Sequence, residues 1–340
     1  MAQQPIPEFR DVDRASFARD IATRYNPAVL RGIVRDWPAV ARARESPAAF
    51  CAYLEGFDSG AAVDVLRVPP SARGRIDYND QMSGFNFSRD KGTVSSVTEK
   101  LLSYARFENR PAVAVQSAPI ADCLPGFARE NVLPILDASV APRIWLGTAF
   151  TTPAHFDESS NVACVVAGRR RFTLFPPEQI ANLYIGPLDF APTGTPMSMV
   201  RLAEPDEARF PRFREALAAA QVAELEPGDA IYIPGLWWHH VESLDKVNAL
   251  VNYWWKGPPG AAVKGDSALD CLLLAVLRLR QLPVEQRRAW AAIFDHYVFN
   301  AANDPAGHIP EYRRGLLGTM SPEYVKQVKD FVARQLTKTS

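Results

Sequence analysis

Between residues 111 and 256 the chain runs in short β-branched and aromatic stretches punctuated by Gly and Pro. Ala112–Gln116, Arg143–Phe150, Asn161–Val166, Arg170–Phe175, Ala230–Pro234 and Val247–Trp255 read as strands. Ala167-Gly168, Phe175-Pro176-Pro177 and Pro227-Gly228-Asp229 read as the turns between them. Short strands at this spacing predict a sandwich or barrel closed enough to hide its edges. The first 110 residues mix two signals: Ser16–Tyr25 and Ser46–Leu54 read as helices, and Ala28–Val34 as a buried strand. The segment 70–95 is polar, Gly-rich and aromatic, which predicts a long loop of the kind that is usually functional or disordered. After Lys256-Gly257-Pro258-Pro259-Gly260 the apolar spacing becomes helical. Ser267–Gln281 places Leu269, Leu272, Leu273, Val276 and Leu277 on one face, and Pro283 opens a helix with Trp290, Ile293, Phe294 and Tyr297 turned inward. Ser321-Pro322-Glu323 opens a last helix as an N-cap followed by Pro at the first helical position. The stripe of that helix, Tyr324, Val328, Phe331 and Val332, needs a partner surface, either the rest of the domain or a second subunit. The organisation expected is an α/β flank over 1–110, a barrel over 111–260 and helices over 261–340.

Composition narrows the class. Of 340 residues, 47% are apolar and 22% charged, the profile of a folded globular chain rather than a disordered one. Lys+Arg and Asp+Glu both number 38, so no global field draws the chain to nucleic acid or an anionic membrane, and neither is expected as a partner. The N-terminal stretch lacks the apolar core of a signal peptide, and the run at Leu272–Leu277 is too short to span a bilayer. Four cysteines stand far apart with no CxxC pair, which predicts reduced, buried thiols and a cytoplasmic location.

The chemistry concentrates in two segments. His155 and Asp157 lie two positions apart in Thr152-Pro153-Ala154-His155-Phe156-Asp157, so on a strand they project to one side while Phe156 turns to the other. Trp237-Trp238-His239-His240 supplies a distant histidine, and strand alternation lets only one of His239 and His240 reach the same ion. The chain has five histidines, and three fall in these two segments. Two imidazoles and one carboxylate form the ligand set of a mononuclear non-haem Fe(II) site, which binds on one face and leaves the opposite positions open. The same set accepts Mn(II), Co(II) or Ni(II).

These segments resemble the JmjC/cupin-like 2-oxoglutarate oxygenases, most closely the asparaginyl hydroxylases that act on hypoxia-inducible factor. The resemblance rests on TPAHFDESSN (152–161), LFPPEQ (174–179), RFPRF (209–213), PGDAIYIPGLWWHHVESL (227–244) and VNYWWKG (251–257). It covers roughly 110–260 well and the first 110 residues loosely. It implies a double-stranded β-helix (jelly-roll) barrel and a metal held by His155, Asp157 and His239, the first histidine of the pair. It also implies 2-oxoglutarate anchored through its distal carboxylate on Arg170, with Thr152 assisting and with Asn161 and Asn252 lining the pocket. Strand alternation independently turns Arg170 inward with Phe172 and Leu174 while Arg169 and Arg171 face out. A planar guanidinium suits a bidentate carboxylate contact. The chain departs from those hydroxylases at Ala112–Ser117, which offers no tyrosine hydroxyl to the cosubstrate.

The function implied is Fe(II)/2-oxoglutarate-dependent hydroxylation of a protein or peptide side chain, with a homodimer formed through the C-terminal helices. The rival expectations are N-methyl-lysine demethylation, a cupin metalloenzyme that makes no use of 2-oxoglutarate, and a binding module without catalysis.

Overall fold

A computed structural model describes residues 4–107, 110–192, 194–257, 267–300, 302 and 304–336. The expected boundary at 260/261 lies outside the described residues, as do Pro258, Pro259 and Gly260 of the segment expected to mark it. The chain divides into two compact units, Met1–Asp266 and Ser267–Ser340.

The first unit contains every strand among the described residues. In chain order these are β1 (Gln4–Pro5), β2 (Glu8–Phe9), β3 (Ala28–Leu30), β4 (Val63–Val68), β5 (Ser88–Gly92), β6 (Ala112–Pro119) and β7 (Pro142–Gly147). They continue with β8 (Phe150–His155), β9 (Ser160–Ala167), β10 (Arg170–Phe175), β11 (Gln221–Leu225), β12 (Ala230–Ile233), β13 (Trp238–Ser243) and β14 (Asn248–Trp255). A five-stranded sheet has the order β1-β11-β10-β13-β8, and a nine-stranded sheet the order β2-β3-β12-β9-β14-β7-β6-β4-β5. From β7 to β14 the chain passes repeatedly between the two sheets: β7, β9, β12 and β14 belong to the large one, β8, β10, β11 and β13 to the small one. That winding is a double-stranded β-helix, the jelly-roll barrel expected from the sequence.

Alternation along each strand builds two cores. On the inner face Ala163, Val165, Phe172, Leu174, Leu225, Ile231, Ile233 and Leu250 pack between the sheets. The outer face of the large sheet buries Val162, Cys164, Ala230, Tyr232, Ala249, Val251 and Trp255 against the flanking helices. The helix Val94–Tyr104 shows how the flank is specified. Thr93 and Ser96 close a reciprocal capping box, and Val94, Val97, Thr98 and Leu101 fall on the buried face. Gly168, at the turn from β9 to β10, has φ +68°, and a Cβ there would stand 2.6 Å from the Val247 carbonyl oxygen and press on the Asn248 side chain. Only glycine fits that turn.

Several elements differ from the sequence expectation. Arg143–Phe150 is not one strand: the chain breaks at Thr148-Ala149 and crosses from the large sheet to the small one. Ala28–Val34 is a strand only as far as Leu30, whereas Ser16–Tyr25 is helical through Arg24 as expected, in π and 3-10 turns rather than a regular α-helix. The expected loop 70–95 contains β5, an edge strand against β4 whose side chains are nearly all exposed. Its charges pair across the ladder, Lys91 with Asp64 and Asp90 with Arg67, which keeps the edge polar and hides it from a hydrophobic pattern. Cys51, Cys123 and Cys164 are buried, but Cys271 is exposed.

The second unit consists mainly of the helices Ala268–Leu279, Val284–Phe294 and Pro322–Leu336. Trp290, Ile293 and Tyr297, expected to turn inward, are exposed, because the unit encloses almost nothing: Ala306 is its one buried residue among those described. No helix of the described residues is long and apolar enough to cross a membrane.

Candidate metal centre and its cavity

The strand β8 reaches His155 and stops. There it pairs with β13, His155 opposite His239, and the register then slips so that Val241 lies opposite Thr152. The extra residue on β8 is a β-bulge, and it lets Thr152 and His155, three positions apart, both face the interior. Asp157 lies just beyond the strand rather than on it. Its carbonyl accepts the Leu236 N–H at 2.7 Å, because the segment that leads into β13 is there still turning. Phe156 projects away from the cavity, as alternation requires, but packs edge-to-face on Trp238 at 5.0 Å.

His155, Asp157 and His239 each offer a ligand atom, all within 4.8 Å of one another. His155 Nδ1 lies 2.9 Å from the Pro153 carbonyl oxygen, and His239 Nδ1 lies 3.0 Å from that of Trp237. A carbonyl only accepts, so each Nδ1 carries the proton and each Nε2 presents its lone pair. His239 Nε2 stands 3.6 Å from Asp157 Oδ2, close enough for the two side chains to hold one cation. Burial, and then the neighbouring His239, push the His155 pKa down to about 4, which keeps that imidazole neutral and able to ligate. The Trp254 indole N–H donates to Asp157 Oδ2 at 3.1 Å and fixes the carboxylate from outside the cluster.

These side chains open into a cavity of about 360 Å³. All seven residues expected from the sequence line it: Thr152, His155, Asp157, Asn161, Arg170, His239 and Asn252. Arg170 is 8% exposed, its Nε–H finds no acceptor, and burial pushes its pKa down to about 10. Its neighbours Arg169 and Arg171 face out and pair with Glu224, Asp245 and Glu242. Asn252 donates to Asn161 Oδ1 at 3.2 Å and accepts the Trp145 indole N–H at 2.8 Å, a relay that locks both amides. His240 is buried but does not line the cavity. Burial, and after it the charge of Arg75, push its pKa down to about 3.

Sequence reasoning missed Trp145, Arg143, Gln116 and Ser117 as lining residues. Period-2 alternation carried the signal for the β7 and β14 residues, since Arg143 and Trp145 share one face and Asn252 and Trp254 another. Gln116 and Ser117 carried none. They sit in a second bulge, where β6 slips against β7 between Val115 and Ala118.

Comparison with known proteins fits this geometry. HSPB1-associated protein 1 of Homo sapiens is 33% identical over 149 residues, 43% of this chain and 30% of the relative. Lysine-specific demethylase JMJ31 of Arabidopsis thaliana is 28% identical over 268 residues, 71% of this chain and 48% of the relative. JmjC domain-containing protein D of Dictyostelium discoideum is 24% identical over 241 residues, 68% and 52% respectively. The chain thus spans about half or less of the length of these curated relatives. A profile described as "Cupin-like domain" matches residues 14–261, which takes in every strand from β3 to β14, both bulges and all three candidate ligands. With a jelly-roll barrel wound around that cluster, and a profile that covers well over half of the chain, the protein belongs to the cupin-like domain family, alongside relatives of the JmjC type.

Proposed function

We propose that the chain is an Fe(II)- and 2-oxoglutarate-dependent oxygenase that hydroxylates a side chain of a protein or peptide, in a reducing cytoplasmic compartment. The observation that carries this reading is Arg170, a buried guanidinium without a partner for its Nε–H, in the same cavity as a His-Asp-His cluster. Keeping such a group in a folded chain costs free energy unless an anion satisfies it. The 2-oxoglutarate molecule has an anion at each end, one for a metal and one for a base.

The donor set fits the metal: two neutral imidazoles and one carboxylate on one side of an open cavity suit Fe(II). Iron with 2-oxoglutarate and O₂ supplies oxidative decarboxylation to succinate and CO₂, with the second oxygen atom entering a substrate C–H bond. The chain supplies position. His155, Asp157 and His239 would hold the ion, and the backbone carbonyls of Pro153 and Trp237 hold the two imidazoles in the required tautomer. Arg170 would take the distal carboxylate of the cosubstrate by charge-assisted hydrogen bonds, with the Thr152 hydroxyl in the same cavity. Phe172, Ile233 and Leu250 line the cavity with apolar surface that excludes water, which strengthens each of those contacts.

The direct test is succinate formation from 2-oxoglutarate by the purified chain with Fe(II), ascorbate and O₂, without added substrate. Succinate above a metal-free control is expected from slow uncoupled turnover. Absence of both succinate and 2-oxoglutarate binding would move the assignment to another cupin chemistry or to a binding role.

A further inference from the structure

The cavity carries more positive charge than a single cosubstrate carboxylate would neutralise. Besides Arg170, it is lined by Arg143 from β7 and Arg89 from β5. Its lining carboxylates are Asp157, a candidate metal ligand, and Asp64, already paired with Lys91 at 2.9 Å. Among the described residues, neither Arg143 nor Arg89 has a carboxylate within ion-pairing distance.

Arg143 is held in a set geometry. Its Nε–H donates to Ser117 Oγ at 2.6 Å, and Ser117, with φ +49°, sits in the bulge of β6. The guanidinium carbon lies 6.0 Å from the centroid of the Trp254 ring, and that indole donates to Asp157. A single tryptophan therefore separates the Arg143 cation from the candidate metal ligand. With Nε taken by Ser117, the two terminal amino groups are left to form a bidentate fork for an incoming carboxylate.

We propose that Arg143 determines specificity by receiving a carboxylate of the substrate, so that the peptide accepted here bears Asp at the reacting position. This inference rests on the oxygenase reading. A methylated lysine keeps its positive charge, so the three lining arginines would oppose its entry.

The test selects from randomised heptapeptide libraries fixed at the centre as Asp, Asn or N6-trimethyl-lysine, on the full chain loaded with Mn(II) and 2-oxoglutarate so that binding is read without turnover. The Asp library is expected to bind about tenfold more tightly than the Asn library. Arg143→Gln should bring that ratio close to one, and Arg143→Lys should retain part of it. Both variants should keep the wild-type 2-oxoglutarate Kd. Preference for Asn or trimethyl-lysine, no peptide binding by a chain that holds 2-oxoglutarate, or an acidic preference that survives Arg143→Gln overturns the inference. So does a weakened 2-oxoglutarate Kd in Arg143→Gln, which would make Arg143 a cosubstrate ligand. A wild-type chain that binds no 2-oxoglutarate overturns the oxygenase reading itself and this inference with it.

Discussion

Each candidate ligand is aimed by a neighbour a few atoms away. The two histidines donate Nδ1–H to carbonyls two residues upstream, and Asp157 accepts from Trp254. If these contacts orient a metal site, their loss should be felt at the metal. Trp254→Phe keeps the ring and removes the donor, so it should weaken Fe(II) or Mn(II) affinity about 10- to 100-fold with little change in melting temperature. Unchanged affinity by calorimetry would mean that Asp157 needs no outside support. His239→Gln should abolish stoichiometric metal binding while His240→Gln leaves it intact, as read by metal analysis after gel filtration. Their adjacency makes the pair a strict test, because the two rings project to opposite faces of β13. For Arg170→Gln, a charge-assisted contact worth about 1.5–3 kcal/mol should disappear and raise the 2-oxoglutarate Kd roughly 10- to 100-fold. Fe(II) affinity should hardly move, and equal losses of both would make Arg170 structural.

At the level of elements, the strands carry the site and the turns and bulges set its register. Gly168 illustrates how tightly. Gly168→Ala forces a side chain into a left-handed turn and into the Val247 carbonyl, so it should cost about 1–3 kcal/mol. That should lower the denaturation midpoint at an unchanged m-value. The same elements explain what the sequence could convey. Arg170, Phe172 and Leu174 were legible because a regular strand alternates, and the ligand motif was legible because His155 and Asp157 lie two positions apart in sequence and His239 falls in one short string. The bulges at Pro153-Ala154 and at Gln116-Ser117 were not, since an extra residue leaves no trace in hydrophobic periodicity yet decides that Thr152 and Ser117 face the cavity. The edge strand β5 was hidden for the opposite reason: its pattern is polar throughout, and only cross-strand charge pairing reveals it. The Thr148-Ala149 break was invisible because both flanking runs are equally β-prone, and the choice of sheet is a tertiary decision.

Across the whole molecule the two units differ in how they satisfy their apolar residues. Met1–Asp266 encloses extended cores on both faces of its large sheet. In Ser267–Ser340 the described helices leave Leu277 72% exposed, Phe299 70% and Phe331 55%. Apolar surface on that scale marks an interaction site in a stable protein, and amphipathic helices are suited to meet a second copy of themselves across a two-fold axis. We propose that the partner is another chain of the same kind. Light scattering over a range of concentrations should give twice the chain mass, with a monomer emerging on dilution if the interface is small. Leu277→Glu combined with Phe331→Glu should shift that equilibrium to the monomer while leaving metal and 2-oxoglutarate binding intact, because both of those sites lie within the first unit. A wild-type chain that stays monomeric at every concentration would refute the dimer.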